Sequence, residues 1–200
     1  MQFHALGTSA ARQRTGCAIV GIHERGELST AAAAVDERSG GAIQRIVKRG
    51  DFRARVGDVL ALHDVAGCPA ERILLAGLGP KQGFGRKAYR KALAAAAQWL
   101  AASGTTDAVS YLAQDAVPDV DAYYAARYLV ETTGAALYRI PDLKTGKKPP
   151  QPKLARFGIA VSESSQLETA RRGLRDGQGV AAGMVMSRDL ANLPANICTP

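Results

Sequence analysis

Apolar and polar positions follow two different periods along this chain. Five short runs, at residues 17–23 (CAIVGIH), 59–63 (VLALH), 72–77 (RILLAG), 107–112 (DAVSYL) and 154–161 (LARFGIAV), are rich in β-branched residues or leucine and bounded by Gly, Pro or Asp. They predict strands. The nearly unbroken apolarity of RILLAG predicts a strand covered on both faces. Between these runs the period lengthens to that of a helix. Over 86–102, Tyr89, Leu93, Ala96, Ala97 and Leu100 share one face, with Lys87, Lys91 and Gln98 opposite. Trp99 falls off that stripe, so Leu93 and Leu100 are expected to lie deeper. Over 119–137, Ala122, Ala125, Ala126, Leu129 and Ala136 are expected inward, with Asp119 as N-cap after Val117 and Pro118. A third helical stretch, 165–190, contains Gly173, Gly177, Gly179 and Gly183. Each glycine inside a helix costs about 1 kcal/mol relative to alanine, so four predict close packing against another element, or a bend. Strands alternating with helices predict an α/β fold, a three-layer domain with a mixed sheet between helices. The lysine- and proline-rich stretch 144–153 (KTGKKPPQPK) reads as an exposed loop.

Composition refines this picture. Thirty-seven of the 200 residues are alanine, against one Trp and four Phe, so the core must be built from small side chains packed closely. No apolar run approaches the ~18–20 residues of a membrane span. The first twenty residues lack the basic start and apolar stretch of a secretory signal. Cys17, Cys68 and Cys198 are odd in number and far apart, which argues against a disulfide framework and for a cytoplasmic location.

Standard catalytic patterns are missing. His4, His23 and His63 form no zinc spacing, no G-x-S-x-G turn exists, and capping explains the Asp119 and Asp121 pair. No catalytic or metal-binding residue is assigned. Gly77 to Gly85 (GLGPKQGFG) follows a buried-looking strand and opens a helix, as a phosphate-cradling loop would, but Pro80 deletes a donor and the spacing is not G-x-G-x-x-G. A glycine-rich turn is the simpler reading; an ADP-ribose-type ligand is the alternative. Net charge is +8, and residues 1–100 carry 15 basic against 8 acidic groups. Clusters lie at 45–55, 81–91 and 139–156. Arg45, Lys48, Arg49, Lys81, Arg86, Lys87, Arg90 and Lys91 are therefore the candidate nucleic-acid contacts, to phosphate rather than to bases. The competing expectation is that the clusters point apart and only solvate the surface.

One segment is more specific. The run from Arg188 to Pro200, RDLANLPANICTP, resembles the R-D-L-x-N-x-P-x-N-x-x-x-P segment of the leucyl (cytosol) aminopeptidases, a family of metallopeptidases. Gly50-Asp51-Phe52 with Gly57-Asp58, the run Arg72 to Gly79, and the basic helix from Arg86 resemble that family's N-terminal region. The resemblance implies a macro-domain-like N-terminal α/β domain over 1–162, a connecting helix over 163–190, and the start of a catalytic domain at 191–200. It further implies two divalent metals, manganese or zinc, peptide substrates, and a hexameric homo-oligomer for the full-length family protein. The family's N-T-D-A-E-G-R signature does not occur among these 200 residues, so they are expected to be inactive alone and to hold no cofactor. Some bacterial members also bind DNA, which makes a DNA-binding accessory domain the alternative role.

Overall fold

The computed structural model describes residues 1–140 and 151–193. Most of the expected 144–153 loop, with Lys144, Lys147 and Lys148, lies outside the described residues, as does the motif from Pro194 onward. In chain order the elements are β1 (Gln2–Leu6), β2 (Ala18–His23), α1 (Thr30–Arg38), α2 (Ala42–Arg49), β3 (Val59–His63), β4 (Arg72–Gly79), α3 (Arg86–Ala102), β5 (Asp107–Ser110), α4 (Ala122–Leu137), β6 (Arg156–Ala160) and α5 (Leu167–Asn192). All five expected strands are present. Three further elements, β1, α1 and α2, have no counterpart in the expected pattern.

One six-stranded sheet runs in the order β1-β6-β5-β2-β4-β3. Every pairing is parallel except that of β3 with β4, so the sheet is mixed. Ile73 through Gly79 are all buried, because β4 lies inside the sheet with side chains packed on both faces. Leu74, Ala76 and Leu78 face the layer of α3, α4 and α5. Ile73 and Leu75 face the other layer, where α1 and α2 supply Ala31, Ala32, Val35 and Ile43. These two short helices are held by their ends. The Ser29 hydroxyl accepts from the Ala32 N–H at 3.1 Å. The Asp36 carboxylate accepts from the N–H groups of Ile43 and Gln44 at 2.8 and 3.0 Å, satisfying the free donors that open α2.

The α3 stripe lies as expected. Leu93 and Leu100 are buried and Trp99 is half-buried. For α4 the expectation needs two corrections. Asp121, not Asp119, is the N-cap, accepting from the Tyr124 N–H at 2.8 Å. Asp119 sits in the preceding turn at φ 59°, closed by the Val120 N–H to the Val117 carbonyl at 3.0 Å. In addition, Ala122 and Ala136 are only half-buried, while Tyr128 through Thr133 are all buried. The helix is enclosed there by the sheet, α3 and α5, so no single stripe describes it.

Two of the four α5 glycines explain that enclosure. A Cβ on Gly173 would overlap the Tyr123 carbonyl, and one on Gly177 would stand 3.0 Å from the Val130 Cβ and 3.1 Å from the Arg127 carbonyl oxygen. Backbone therefore meets backbone along the first half of α5. Gly179 and Gly183 differ: apart from the helix's own backbone, nothing lies within 4 Å of where a Cβ would stand.

This packing sets two stability outcomes, measurable by urea unfolding. Leu93→Ala should cost about 2–5 kcal/mol, because it empties a fully enclosed site. Gly173→Ala should destabilise by about 1–3 kcal/mol through overpacking, whereas Gly183→Ala should stabilise by up to about 1 kcal/mol through helix propensity alone.

Candidate polyanion interface at the end of β4

The segments that carried the family resemblance meet in space. After α2 the chain passes over the C-terminal end of β4, with Phe52 and Ala54 buried and Arg53 and Arg55 exposed. The Gly79 N–H donates to the Ala54 carbonyl at 3.0 Å, and the Gly77 N–H to the Asp58 carbonyl at 2.8 Å. This approach requires glycine in β4. A Cβ on Gly77 would overlap the Arg55 carbonyl, and one on Gly79, at φ 75°, would overlap the Val56 side chain. The reciprocal contact is at Gly57, where a Cβ would stand 3.1 Å from Cε of Lys91.

Those contacts bring two basic clusters to one end of the sheet, although their helices lie on opposite faces. On α2, Arg45, Lys48 and Arg49 are exposed. Arg45 donates to the Gly40 carbonyl, and Arg49 pairs with Asp51 at 2.9 Å. Lys81 pairs with Glu27 at 3.2 Å. On α3, Arg86, Lys87, Arg90 and Lys91 are exposed, and the Arg90 guanidinium lies 5.0 Å from the centre of the Tyr128 ring. Arg86, Lys87 and Arg90 line a hollow of about 610 Å³ with Asp119. No acid lies in the first turn of α3, and Gly85 supplies no side-chain cap. Cations at the positive end of a helix dipole repel it, so this end is electrostatically suited to an anion. Arg156 of the third cluster lies at the opposite end of the sheet, where it opens β6 and pairs with Gln2 of β1 and Asp107 of β5.

The Gly77 to Gly85 loop is not arranged as a phosphate cradle. The N–H of Gly79 bonds Ala54, that of Gly83 the Pro80 carbonyl at 3.0 Å, and that of Phe84 the Lys81 carbonyl at 3.2 Å. Nδ1 of the buried His23 lies 3.2 Å from the Gly79 carbonyl, and its ring packs edge-on against Phe84. His23 is a structural residue that fixes the loop. Among the described residues no group of three or more His, Cys, Asp or Glu side chains could hold a metal ion. The two divalent metals implied by the resemblance therefore find no donor set among the described residues. Burial pushes the Cys17 thiol up to about 12, which leaves it protonated and unreactive at neutral pH.

Comparison with known proteins decides the family. A family model for the N-terminal domain of the cytosol aminopeptidase family matches residues 19–147. The chain belongs to the cytosol aminopeptidase family. A probable cytosol aminopeptidase of Alkalilimnicola ehrlichii is 40% identical over 184 residues, covering 92% of this chain and 37% of the relative. One from Halorhodospira halophila is 38% identical over 200 residues, covering 100% of this chain and 40% of the relative. The chain thus spans about 40% of the length of the curated relatives it matches. A mutant of tomato leucine aminopeptidase shares the fold, with a TM-score of 0.79 and 19% identity over 100% of this chain and 40% of that one. The bottromycin maturation enzyme BotP, in complex with Mn, superposes with a TM-score of 0.64 and 25% identity, covering 93% of this chain and 34% of that one. This family domain has a mixed sheet between helices, as expected from the sequence, with β1 as an unexpected sixth strand, and no helix among its described residues is long and apolar enough to cross a membrane.

Because the N–H groups of Gly77, Gly79, Gly83 and Phe84 already bond within the protein, ADP-ribose and NAD should leave the melting temperature unchanged. A real site held at 100 times Kd would add about 2.7 kcal/mol, and a clear thermal upshift would identify one.

Proposed function

We propose that this chain is the non-catalytic N-terminal domain of a metal-dependent leucyl aminopeptidase, an enzyme that releases N-terminal amino acids from peptides, preferably large apolar ones such as leucine. The observation that carries the reading is the match of residues 19–147 to the family's N-terminal domain, in a chain that spans 40% of the Halorhodospira relative. On this reading the catalytic groups, the peptide site and two divalent ions, manganese or zinc, belong to the remaining length of such a protein. Two such ions need several carboxylates converging at about 2.0–2.6 Å. Residues 1–162 form the domain, 163–190 the connecting helix and 191–200 the start of the catalytic part. The domain's work is positioning and assembly within a homo-hexamer, as the family resemblance implies, and the relatives' name supports a cytoplasmic location.

The test joins residues 1–200 to the C-terminal part of the Halorhodospira relative and follows leucyl anilide hydrolysis with manganese or zinc. The joined chain should turn over in a chelator-sensitive manner, and residues 1–200 alone should not. Turnover by the 200 residues alone would sink this division of labour.

A second reading rests on the convergence of Arg53, Arg55, Lys91 and the α3 cations at one end of the sheet. It is weak duplex DNA binding through phosphate contacts involving Arg45, Lys48, Arg49, Lys81, Arg86, Lys87, Arg90 and Lys91, without base recognition and with Kd of about 10⁻⁴–10⁻⁶ M. In a salt-titrated binding assay, replacing Lys87, Arg90 and Lys91 by Glu should weaken binding and flatten the salt slope by roughly 0.9 for each phosphate no longer neutralised. A slope indifferent to those changes leaves the cations as surface solvation.

A further inference from the structure

The β3 edge of the sheet is open and apolar. Val59–His63 (VLALH) pairs with β4 and, among the described residues, with no other strand. The Asp64 N–H donates to the Glu71 carbonyl and the Gly77 N–H to the Asp58 carbonyl. Backbone groups alternate in direction along an antiparallel strand, so Leu60 and Leu62 also turn theirs toward β4. Those of Val59, Ala61 and His63 point out of the sheet and have no partner among the described residues. Natural sheets blunt such edges with charge or proline. At the other edge, β1 has exposed Gln2 and His4. Val59 to Leu62 are all apolar and only half-buried. Val59 and Ala61 pack on one core and Leu60 and Leu62 on the other, so a further strand would extend both.

The two ends of this edge differ in charge. Where β3 begins, residues 50–55 wall a hollow of about 320 Å³ that Val59 and Leu60 also line. Its two acids are engaged. Asp51 pairs with Arg49 at 2.9 Å, and the Asp58 carboxylate accepts from the Arg55 N–H at 3.0 Å. The exposed guanidinium groups of Arg53 and Arg55 line the same hollow without a partner among the described residues. Where β3 ends, the exposed Asp64 carries the opposite charge.

We propose that the β3 edge binds the C-terminal end of an extended peptide as an added strand, antiparallel to β3, with the terminal carboxylate held by Arg53 and Arg55. Charge sets the direction. A parallel strand would bring its amino terminus to the two arginines, whereas an antiparallel one brings its carboxylate. The wall at 50–55 sets the end, because a strand laid along β3 meets it there and a terminus fits where a continuing chain does not. At about 3.3 Å per residue, β3 takes about five residues. Main-chain bonds supply affinity, and the half-buried side chains of β3 favour apolar residues. A second copy of this chain fits less well. Its fullest antiparallel pairing, centred on Ala61, sets Asp58 opposite Asp64 at both ends, and like charges directly opposite are destabilising. The site goes beyond the proposed function and does not depend on it.

The probe is the peptide Lys-Thr-Val-Thr-Val with fluorescein on its amino terminus, and its binding to the 200-residue chain is read by anisotropy. The free acid should bind about tenfold tighter than the C-terminal amide, roughly the worth of one hydrogen bond to a charged group. Arg53→Gln combined with Arg55→Gln should erase that difference. Ala61→Pro deletes an N–H that only the open edge presents, so the pairing of β3 with β4 remains and binding should be lost. Two N-methylated probes, blocked on alternate amides, leave the protein unchanged: one should lose binding and the other keep it. Acid and amide that bind alike, or N-methylated probes that bind alike, would overturn the proposal. A mass that rises with concentration in the wild-type chain but not in Ala61→Pro would assign the edge to a second copy and overturn it too. The blocked amino terminus keeps the probe from being an aminopeptidase substrate, so hydrolysis by the joined chain tests the proposed function separately.

Discussion

The contact between α4 and α5 fixes how the last helix lies on the domain. It is a backbone-to-backbone contact, possible because Gly173 and Gly177 present no side chain to the Tyr123 and Arg127 carbonyls. Once the two helices approach that closely, polar clamps form near both ends. The Tyr123 hydroxyl donates to Asp176 at 2.8 Å while Arg172 lies over its ring. The Tyr138 hydroxyl donates to Asp189 at 3.0 Å with Arg188 over its ring. Glu131, enclosed by the same approach, pairs with Arg127 one turn back at 2.5 Å. A single larger residue at Gly173 would lift α5 and disturb both clamps. The alanine-rich composition belongs to this design, since Ala125, Ala126 and Ala170 let three helices crowd one sheet face.

The parts of the fold that can be read from sequence are those where one face decides. RILLAG is buried on both faces and reads that way; the α3 stripe follows period 3.6 and is buried along it. What escapes reading has no such signal. The α1 run is almost all alanine, so its buried Ala31 and Ala32 cannot be told from its exposed Ala33 by hydropathy. In α2, the charges of Arg45, Lys48 and Arg49 mask an amphipathic pattern of Ile43, Ile46 and Val47. β1 is a five-residue edge strand held by one neighbour. The cap of α4 is ambiguous in sequence because two aspartates two residues apart both satisfy the capping rule, and the turn between Val117 and Val120 decides between them.

The candidate site is legible only as charge. Its residues are visible as basic clusters, but the contact that joins the clusters depends on glycines of two separate segments, Gly57 and, on β4, Gly77 and Gly79. Each looks like a turn signal from sequence. In space two of them clear a path for the segment 54–56, and the third receives the methylenes of Lys91. The histidines show the converse. His23 ends an apolar strand, as a ligand would, yet its ring is occupied by Gly79 and Phe84.

Two features run against the domain's own local stability. Exposed glycines weaken α5 by about 1 kcal/mol each, and the cations on the first turns of α3 oppose its dipole by about 0.3–1 kcal/mol each at low ionic strength. Neither is compensated by a described contact of equal kind. Departures of this sort concentrate where a surface has a partner. They also lie on different elements, and they differ in what they would accept. The α5 stripe offers close approach without charge. The α3 end offers three cations against one acid, Asp119, around an open hollow, which suits an anion in water. The two surfaces can therefore be tested by different substitutions, and disabling either one should leave the sheet and its two cores intact.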